Sequence, residues 1–263
     1  VNQVKQGDLL SLDQWIMVRA AQIQTEIRQA YDQYRFHLVT KLLHDFCSID
    51  LGSFYLDIIK DRQYTCQKDS VIRRSAQTAM YHVIRALVCW MAPILSFTAD
   101  EIWSCLPQDD RQSSVFLTEW YTDLPTEMMS DISYADWQQL LQLRDVVNKE
   151  IEAARSAGQL GSALQAEVIL YVDETWQVLC QKLATELRFV LITSSVTILP
   201  LAEGDQVEQD LAGLSVKVKA SDYPKCARCW HYQADVGQHQ QAEDLCGRCI
   251  DNVFRQGEVR HYA

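Results

Sequence analysis

The sequence predicts a multidomain, mainly α-helical protein, in which a helical bundle is followed by a small α+β domain and a cysteine-rich terminal module. Three observations lead to this prediction. Apolar residues recur at helical spacing through about the first 120 residues, short β-branched runs follow, and two closely spaced cysteine pairs lie near the end. A chain of 263 residues, of which 48% are hydrophobic, is long enough for two domains and a small appendage.

The predicted bundle occupies residues 1–125 and contains four or five helices with short connections. Capping-box patterns at 11–14 and 98–101 predict where two of these helices begin. The clearest helix spans about 69–91, where apolar residues recur almost without interruption at i, i+3 and i+4. Residues 50–52 include a glycine, and we expect a break in the helical pattern there.

Residues 126–219 are predicted to form the small α+β domain. A long amphipathic helix is expected at about 135–157, and Gly158 suits its end. A second helix is expected near 174–187. Three β-branched runs are predicted as strands, at 167–172, 189–199 and 214–218. Residues 220–263 then form the terminal module.

Charge is distributed unevenly along the chain. The net charge of −11 comes mostly from residues 126–216, which carry 5 basic and 14 acidic side chains. Between Lys60 and Arg85, in contrast, there are six basic side chains and only two acidic ones. Because phosphate responds to the local potential, this basic stretch is able to bind nucleic acid in spite of the acidic total.

Composition argues against a membrane or secreted protein. No apolar run approaches the roughly 18 residues of a membrane span, and no leader pattern precedes the first predicted helix. Five single cysteines have the placement of reduced packing residues in a cytoplasmic protein: Cys47, Cys66, Cys89, Cys105 and Cys180. Because the chain begins at Val1 and soon enters a helical pattern, we expect it to be a fragment of a longer protein.

The terminal module carries a candidate metal site. Cys226, Cys229, Cys246 and Cys249 form two C-x2-C pairs that are separated by sixteen residues, a spacing typical of structural zinc. Four thiolates fill the coordination shell of zinc and leave no position for a reacting water, so we expect one structural Zn²⁺ per chain in a zinc ribbon. Gly247, inside the second pair, is expected to adopt a positive φ in a tight turn.

Two alternatives to this four-cysteine site stay open at the level of sequence. The first is four free cysteines, and the second is a site with three cysteines and either His231 or His239.

Residues 60–64 combine charged, amide and aromatic groups, which are suited to contact phosphates and unstacked base edges of RNA. Arg73 and Arg74 belong to the same basic stretch. The alternative is that residues 60–64 are only the solvated end of a helix.

The cysteine pairs contain further candidates for nucleic-acid contact. Arg228 and Arg248 occupy equivalent positions in the two pairs, where they either bind phosphate or only offset the −2 charge of a four-thiolate zinc centre. Trp230 directly follows a cysteine, and it either stacks on an unpaired base or packs on the metal module.

The sequence predicts no catalytic site. A nucleophile elbow, a P-loop and a dinucleotide-binding fingerprint are all missing from the sequence. Carboxylate pairs such as Asp57 and Asp61 are expected on solvated helix faces rather than in an acid–base dyad.

Three blocks of the sequence resemble the C-terminal part of bacterial isoleucyl-tRNA synthetases. They are FYLDIIKDRQYT at 54–65, APILSFTADEIW at 92–103, and CARCWHY at 226–232 with CGRC at 246–249. The resemblance covers essentially the whole chain, and the order of the blocks is the same. The first two blocks also fit the valyl enzyme, whereas the zinc module after an α+β insert points to the isoleucyl enzyme. Some DNA-repair glycosylases end in a similar module but lack the bundle.

The resemblance implies a division of labour between this chain and domains that lie upstream in the family. Those domains activate isoleucine with ATP, transfer it to tRNA and hydrolyse mischarged valine. Because the chain lacks the His-Ile-Gly-His and Lys-Met-Ser-Lys-Ser signatures, we expect it to be catalytically inactive alone. The resemblance implies that the bundle is a helical anticodon-binding domain that docks on the anticodon stem-loop of tRNA(Ile), and that the zinc module helps to hold this RNA. Because the acidic α+β domain does not favour contact with the RNA backbone, we expect it to act as a spacer.

Taken with this resemblance, seven residues are expected to contact RNA. They are Lys60, Arg62, Arg73, Arg74, Arg228, Trp230 and Arg248. Two other functions stay open: a free-standing zinc-dependent nucleic-acid-binding protein, and a protein-interaction scaffold whose zinc ribbon is purely structural.

Overall fold

The computed structural model describes residues 3–107, 112–201 and 211–263, which form two compact units. The first unit comprises Val1–Ile59 and Val71–Asp131, and the second comprises Lys60–Ser70 and Ile132–Ala263. Apart from residues 126–131, the residues predicted as an α+β domain and as a metal module therefore lie in one unit, together with a short segment from the predicted bundle. The finer division at 125/126 and 219/220 stays a prediction.

The first unit is helical, as the apolar periodicity predicted. Its helices are α1 (Ser11–Asp32), α2 (Phe36–Asp45), a π-helix (Phe46–Tyr55), α3 (Leu56–Thr65), α4 (Val71–Met91) and α5 (Ser96–Cys105), with α3 leaving the unit after Ile59. The break expected at residues 50–52 is absent: these residues, including Gly52, lie inside the π-helix. A Cβ at Gly52 would lie 3.1 Å from the carbonyl oxygen of Cys47, so the glycine permits the close approach of this wider turn.

Both capping boxes predicted for the first unit are wrong. The N-cap residues of α1 and α5 are Leu10 and Leu95, and neither has a side-chain cap. At the start of α1, the Leu10 amide instead donates a hydrogen bond of 2.9 Å to the hydroxyl of Ser75 on α4. A tertiary partner therefore satisfies a backbone donor that the local sequence pattern assigned to a cap.

The core of the first unit includes a buried carboxylate. Asp13 on α1 accepts hydrogen bonds from the Tyr55 hydroxyl, at 2.8 Å, and from the Ser75 hydroxyl. A buried carboxyl group needs such donors, since the burial of a polar group without hydrogen-bond partners is costly. Asp13 thus ties α1 to both the π-helix and α4.

The second unit contains a three-stranded sheet and four α-helices among its described residues. Its elements are α6 (Tyr134–Ser156), β1 (Ala166–Val172), α7 (Glu174–Leu183), α8 (Leu187–Leu191), β2 (Ser195–Pro200), β3 (Leu214–Ala220) and α9 (Gly247–Phe254). The strand order is β2-β1-β3, with β1 parallel to β2 and antiparallel to β3. The helix predicted at 135–157 is confirmed within a residue at each end, and Gly158 follows it with φ of +72°.

The strand predicted at 189–199 is only half correct. Its first part forms the helix α8, which ends at Ile192 in a left-handed conformation, and β2 begins at Ser195. A continuous buried apolar run has no periodicity that separates a strand from a short helix, which explains the error. Within the three described ranges, every helix is too short or too polar to cross a lipid bilayer.

Candidate metal centre and nucleic-acid interface

The two cysteine pairs are placed by a small hairpin and by a helix start. Lys225 pairs with Tyr232 in an isolated antiparallel bridge, and the amide of Cys226 donates to the carbonyl of His231 at 2.9 Å. The Trp230 amide closes the first turn by donating to the Cys226 carbonyl at 3.0 Å. Cys246 is the N-cap residue of α9, so the second pair begins where that helix begins.

The four cysteine sulfurs have the geometry of one tetrahedral metal site. All four side chains are buried, and their Sγ atoms lie within 4.8 Å of one another. The Sγ atoms of Cys229 and Cys246 are 3.7 Å apart. Zinc–sulfur bonds of about 2.3 Å predict tetrahedron edges of about 3.8 Å, so the observed separation fits zinc. The amide of Cys246 also donates to Cys226 Sγ at 3.3 Å, a contact that favours a thiolate.

The alternative ligands His231 and His239 are turned to other partners. His231 Nδ1 lies 3.2 Å from the carbonyl oxygen of Cys229, and His239 Nε2 lies 3.3 Å from the carboxylate of Asp235. Among the described residues, the side chains whose ligand atoms lie close enough together to hold a metal ion here are the four cysteines. The geometry therefore favours the four-cysteine site over the site with one histidine.

The expected positive φ of Gly247 is wrong, and Trp230 holds the left-handed position instead, with φ of +67°. Gly247 is needed for space: a Cβ there would lie 2.6 Å from a carboxylate oxygen of Asp235. Asp235 accepts a 2.7 Å hydrogen bond from the Gly247 amide. The glycine thus allows a carboxylate to reach the first turn of α9.

Arg248 joins α9 to the end of α3 through a bidentate ion pair. Its two terminal nitrogens lie 2.7 and 2.8 Å from the two carboxylate oxygens of Asp61. Arg260 also donates to Asp61, and Glu258 accepts from Arg248 at 3.2 Å and from Arg260 at 2.9 Å. The four groups form a charge cluster in which each carboxylate meets both arginines.

The electrostatics of this charge cluster follow from burial and pairing. Burial by itself would raise the pKa of Asp61, but Arg248 and Arg260 lower it well below the usual carboxyl range. The pKa of Glu258 is likewise lowered, since the same two arginines outweigh its burial. Both carboxylates are therefore ionised in the folded protein at neutral pH.

Arg228 contacts the same helix end. Its guanidinium donates to the carbonyl oxygens of Tyr64 and Thr65, at 3.3 and 3.1 Å. These are last-turn carbonyls of α3, which lack amide partners within the helix. The positive charge of Arg228 thus caps the negative end of the α3 dipole.

Trp230 presents an aromatic face to solvent. Its side chain is 58% exposed, and Lys225 Nζ lies 5.2 Å from the ring centroid. This placement fits the RNA-stacking interpretation better than the packing interpretation that the sequence left open. A left-handed φ at a bulky residue costs energy, and it persists here because the metal-binding turn requires it.

The other predicted RNA contacts have different surroundings. Lys60 is exposed at the start of the Lys60–Ser70 segment, and Arg73 and Arg74 are half-buried near the start of α4 in the first unit. Arg62 is fully buried, and the side chain of Arg248 is only 11% exposed in its carboxylate contacts. The burial of Arg62 and Arg248 does not support direct RNA contact by either residue.

The carboxylates that pair with these arginines, or that bind the end of the chain, were not identified from the sequence. Asp61, expected on a solvated face, is instead paired with two arginines, and Glu258 was not singled out. Glu186 was missed as well: its carboxylate accepts hydrogen bonds from the amides of residues 261–263, at 2.8 to 3.0 Å. A single sequence holds no signal for pairs such as Asp61 and Arg248, because the partners are 187 residues apart.

Two family models match the chain. The model described as "Anticodon-binding domain of tRNA ligase" matches residues 13–170, and the model described as "Zinc finger found in FPG and IleRS" matches residues 224–252. The second match contains all four cysteines of the candidate metal centre.

Several bacterial proteins named isoleucine–tRNA ligase are similar to nearly the whole chain. The protein from Alcanivorax borkumensis is 55% identical over 258 residues, that from Pseudomonas aeruginosa (strain LESB58) is 51% identical over 261, and that from Coxiella burnetii (strain RSA 331) is 47% identical over 264. The alignments cover 97%, 97% and 100% of this chain, but only 27%, 27% and 28% of those proteins. The chain therefore spans about a quarter of the length of the relatives that it matches. Since the first family model matches more than half of the chain, this protein belongs to the family of anticodon-binding domains of tRNA ligases.

Proposed function

We propose that this chain is the tRNA-recognition part of an isoleucine–tRNA ligase and that it binds the anticodon stem-loop of tRNA(Ile). One observation carries the proposal: nearly every residue aligns with proteins named isoleucine–tRNA ligase, and both the anticodon-binding and the zinc-finger models match within that alignment. The free-standing nucleic-acid-binding protein and the interaction scaffold are not favoured, because neither accounts for this combination.

Attachment of isoleucine to tRNA with ATP, and removal of mischarged valine, belong in this proposal to catalytic and editing domains of a longer parent chain. The relatives are more than three times as long as this chain, which leaves room for such domains. The chain alone should therefore show no isoleucine-dependent exchange of pyrophosphate into ATP. We also place the protein in the cytoplasm, where its single cysteines stay reduced.

The metal centre, in this proposal, holds one Zn²⁺ per chain through Cys226, Cys229, Cys246 and Cys249. The ion supplies no reaction chemistry, since four thiolates fill its coordination shell. These residues instead fix the turn that carries Arg228 and Trp230 and the helix start that carries Arg248.

RNA recognition, in this proposal, combines a stacking face with phosphate anchors. Trp230 offers its exposed ring to an unpaired loop base, and Lys225 adds positive charge beside that ring. Lys60 binds the RNA backbone from the second unit, and Arg73 and Arg74 do so from the first, whereas Arg228 acts by capping the end of α3. The acidic residues of the small α+β fold repel phosphate, which agrees with a spacer role for that part.

The proposed function is tested by titrating the zinc-loaded chain with labelled tRNA(Ile) transcripts at two salt concentrations. We expect binding that weakens with salt, because Lys and Arg release counterions from phosphate, and that weakens further when anticodon bases are substituted. Transcripts with substitutions in the acceptor stem serve as the control and should bind like the natural sequence. Binding that ignores both the anticodon and the salt concentration would contradict the proposal.

A further inference from the structure

The Lys60–Ser70 segment is held at several points by the metal-binding module and by the residues that follow it. Arg248 contacts Asp61 through two hydrogen bonds, and Arg228 caps the end of α3. Beyond the helix, Cys66 Sγ lies 3.3 Å from the carboxylate of Glu258. The side-chain amide of Gln67 also donates to the carbonyl of Arg255 at 2.7 Å.

The two strongest of these contacts come from equivalent places in the two cysteine pairs. Arg228 lies between Cys226 and Cys229, and Arg248 lies between Cys246 and Cys249. Each arginine is fixed by flanking cysteines of the candidate metal centre, and each reaches the last turn of α3. The two cysteine pairs therefore determine where this helix end lies.

The helix end that is held in this way carries an unassigned aromatic side chain. Tyr64 is 76% exposed, and its backbone carbonyl is one of the two that Arg228 caps. Arg228 is two residues from Trp230, which is exposed as well. Lys60 precedes Tyr64 in the same segment, and Lys225 lies beside the Trp230 ring. Two aromatic rings and two lysines have the chemistry of a surface that binds unpaired bases.

We infer that Arg228 and Arg248 position the Lys60–Ser70 segment on the metal module, and that Tyr64, which they hold in place, is a second RNA-stacking residue beside Trp230. The inference rests on the proposed RNA-binding function. Arg228 and Arg248 are positioning residues, since they act through α3, whereas Tyr64 contacts the RNA.

Binding of the isolated tRNA(Ile) anticodon stem-loop to the zinc-loaded chain tests the role of Tyr64. We expect Tyr64→Ala to weaken affinity roughly tenfold, the size of one lost base–aromatic stack, and Tyr64→Phe to retain nearly full affinity. Arg228→Gln should weaken binding too, and its effect should largely disappear in the Tyr64→Ala background, because coupled residues are not additive. Arg155→Gln, an exposed arginine of α6 paired with Glu152, is the matched control for the loss of one positive charge and should bind like the wild type.

Amide hydrogen exchange tests the positioning step without RNA. Residues 60–70 should exchange faster in Arg228→Gln and in Arg248→Gln than in the wild type or in Arg155→Gln, while zinc content stays at one ion per chain. Unchanged exchange in both arginine variants, full additivity with Tyr64→Ala, or wild-type affinity of Tyr64→Ala would each overturn the inference. If the wild type itself does not bind the stem-loop, the proposed function is wrong as well; if the wild type binds and Tyr64→Ala binds equally, only this inference is wrong.

Discussion

Trp230 shows how a single residue can be costly for folding and useful for binding. Its backbone is left-handed, a conformation that glycine adopts without strain and that a large L-residue does not. Its ring is mostly in water, so little packing energy offsets the strain. A residue that is strained and exposed at a turn fixed by metal ligands is better explained by what it binds than by what it stabilises.

Replacing Trp230 separates these two roles. We expect both Trp230→Ala and Trp230→Gly to weaken stem-loop affinity roughly tenfold, because a base–aromatic stack is lost. Trp230→Gly should be at least as stable as Trp230→Ala, since glycine relieves the positive φ. Affinity is measured by fluorescence titration and stability by urea unfolding, with zinc content as the control. A ring that serves only packing would instead give destabilised variants with normal affinity.

Asp61 is the residue on which the charge cluster converges, and its pairing gives stability a defined pH dependence. Because the folded-state pKa is lowered by Arg248 and Arg260, the contribution of Asp61 is fully present above its unfolded pKa of about 4. It is lost as the pH falls from there through the lower folded-state value.

Asp61→Asn should lower the free energy of unfolding of the second unit by about 3 kcal/mol at pH 7, since two arginines lose a buried partner. The difference between wild type and variant should shrink as the pH falls below about 4. Urea unfolding at pH 7, 5 and 3 measures it. Asp57→Asn is the neighbouring control, and an equal loss in that variant, or a difference that is constant with pH, would contradict the assignment.

At the scale of elements, the helices with strong apolar periodicity were predicted well, whereas the side-chain caps at helix starts were not. The long helix of the first unit and the long helix α6 were predicted nearly correctly, because a core-facing stripe is repeated over several turns. The two predicted capping boxes fail because tertiary partners and ordinary backbone turns replace them. The capping box that does form, between Ser133 and Asp136, was not recognised as one.

The α6 capping box should contribute measurably to stability. Ser133 Oγ accepts from the Asp136 amide at 3.1 Å, and an Asp136 carboxylate oxygen accepts from the Ser133 amide at 2.9 Å. Ser133→Ala should therefore lower the free energy of unfolding by about 1 kcal/mol, as measured in urea. Ser156→Ala, at the exposed far end of the same helix, should change it by less than about 0.5 kcal/mol. Equal effects of the two substitutions would rule out the cap.

At the scale of the whole molecule, the chain consists of a helical unit and a second unit whose final part contains the candidate metal centre. Buried side chains of the four cysteines, with Val236 and Leu245 packed against them, make up the apolar cluster around that centre. So small a cluster buries too little apolar surface to fold without an added constraint. In the proposed function, the Zn²⁺ ion supplies that constraint.

Removal of the metal should therefore unfold one region selectively. After chelation, we expect rapid amide exchange in 224–252 and in 60–70, which is tied to that region by Arg228 and Arg248. The helices α1 and α4 should keep their protection, since they belong to the first unit, whereas the four cysteines of the candidate metal centre lie in the second. Readdition of zinc should restore protection. Uniform loss across the chain, or no change at 60–70, would contradict the expected pattern.

The sequence by itself determined the class of fold, the four cysteines of the candidate metal centre and the family, because helical periodicity and cysteine spacing are local patterns that survive without the rest of the chain. Only the tertiary structure decided what Arg62, Arg228 and Arg248 do. The partners of Arg228 and Arg248 lie far along the chain, and the burial of Arg62 likewise arises from folding, so that neither leaves a mark within any short window. The same reason explains why Lys60–Ser70 belongs to the second unit. The sequence pattern groups this segment with the bundle helices, but its ion pairs connect it to residues of the second unit.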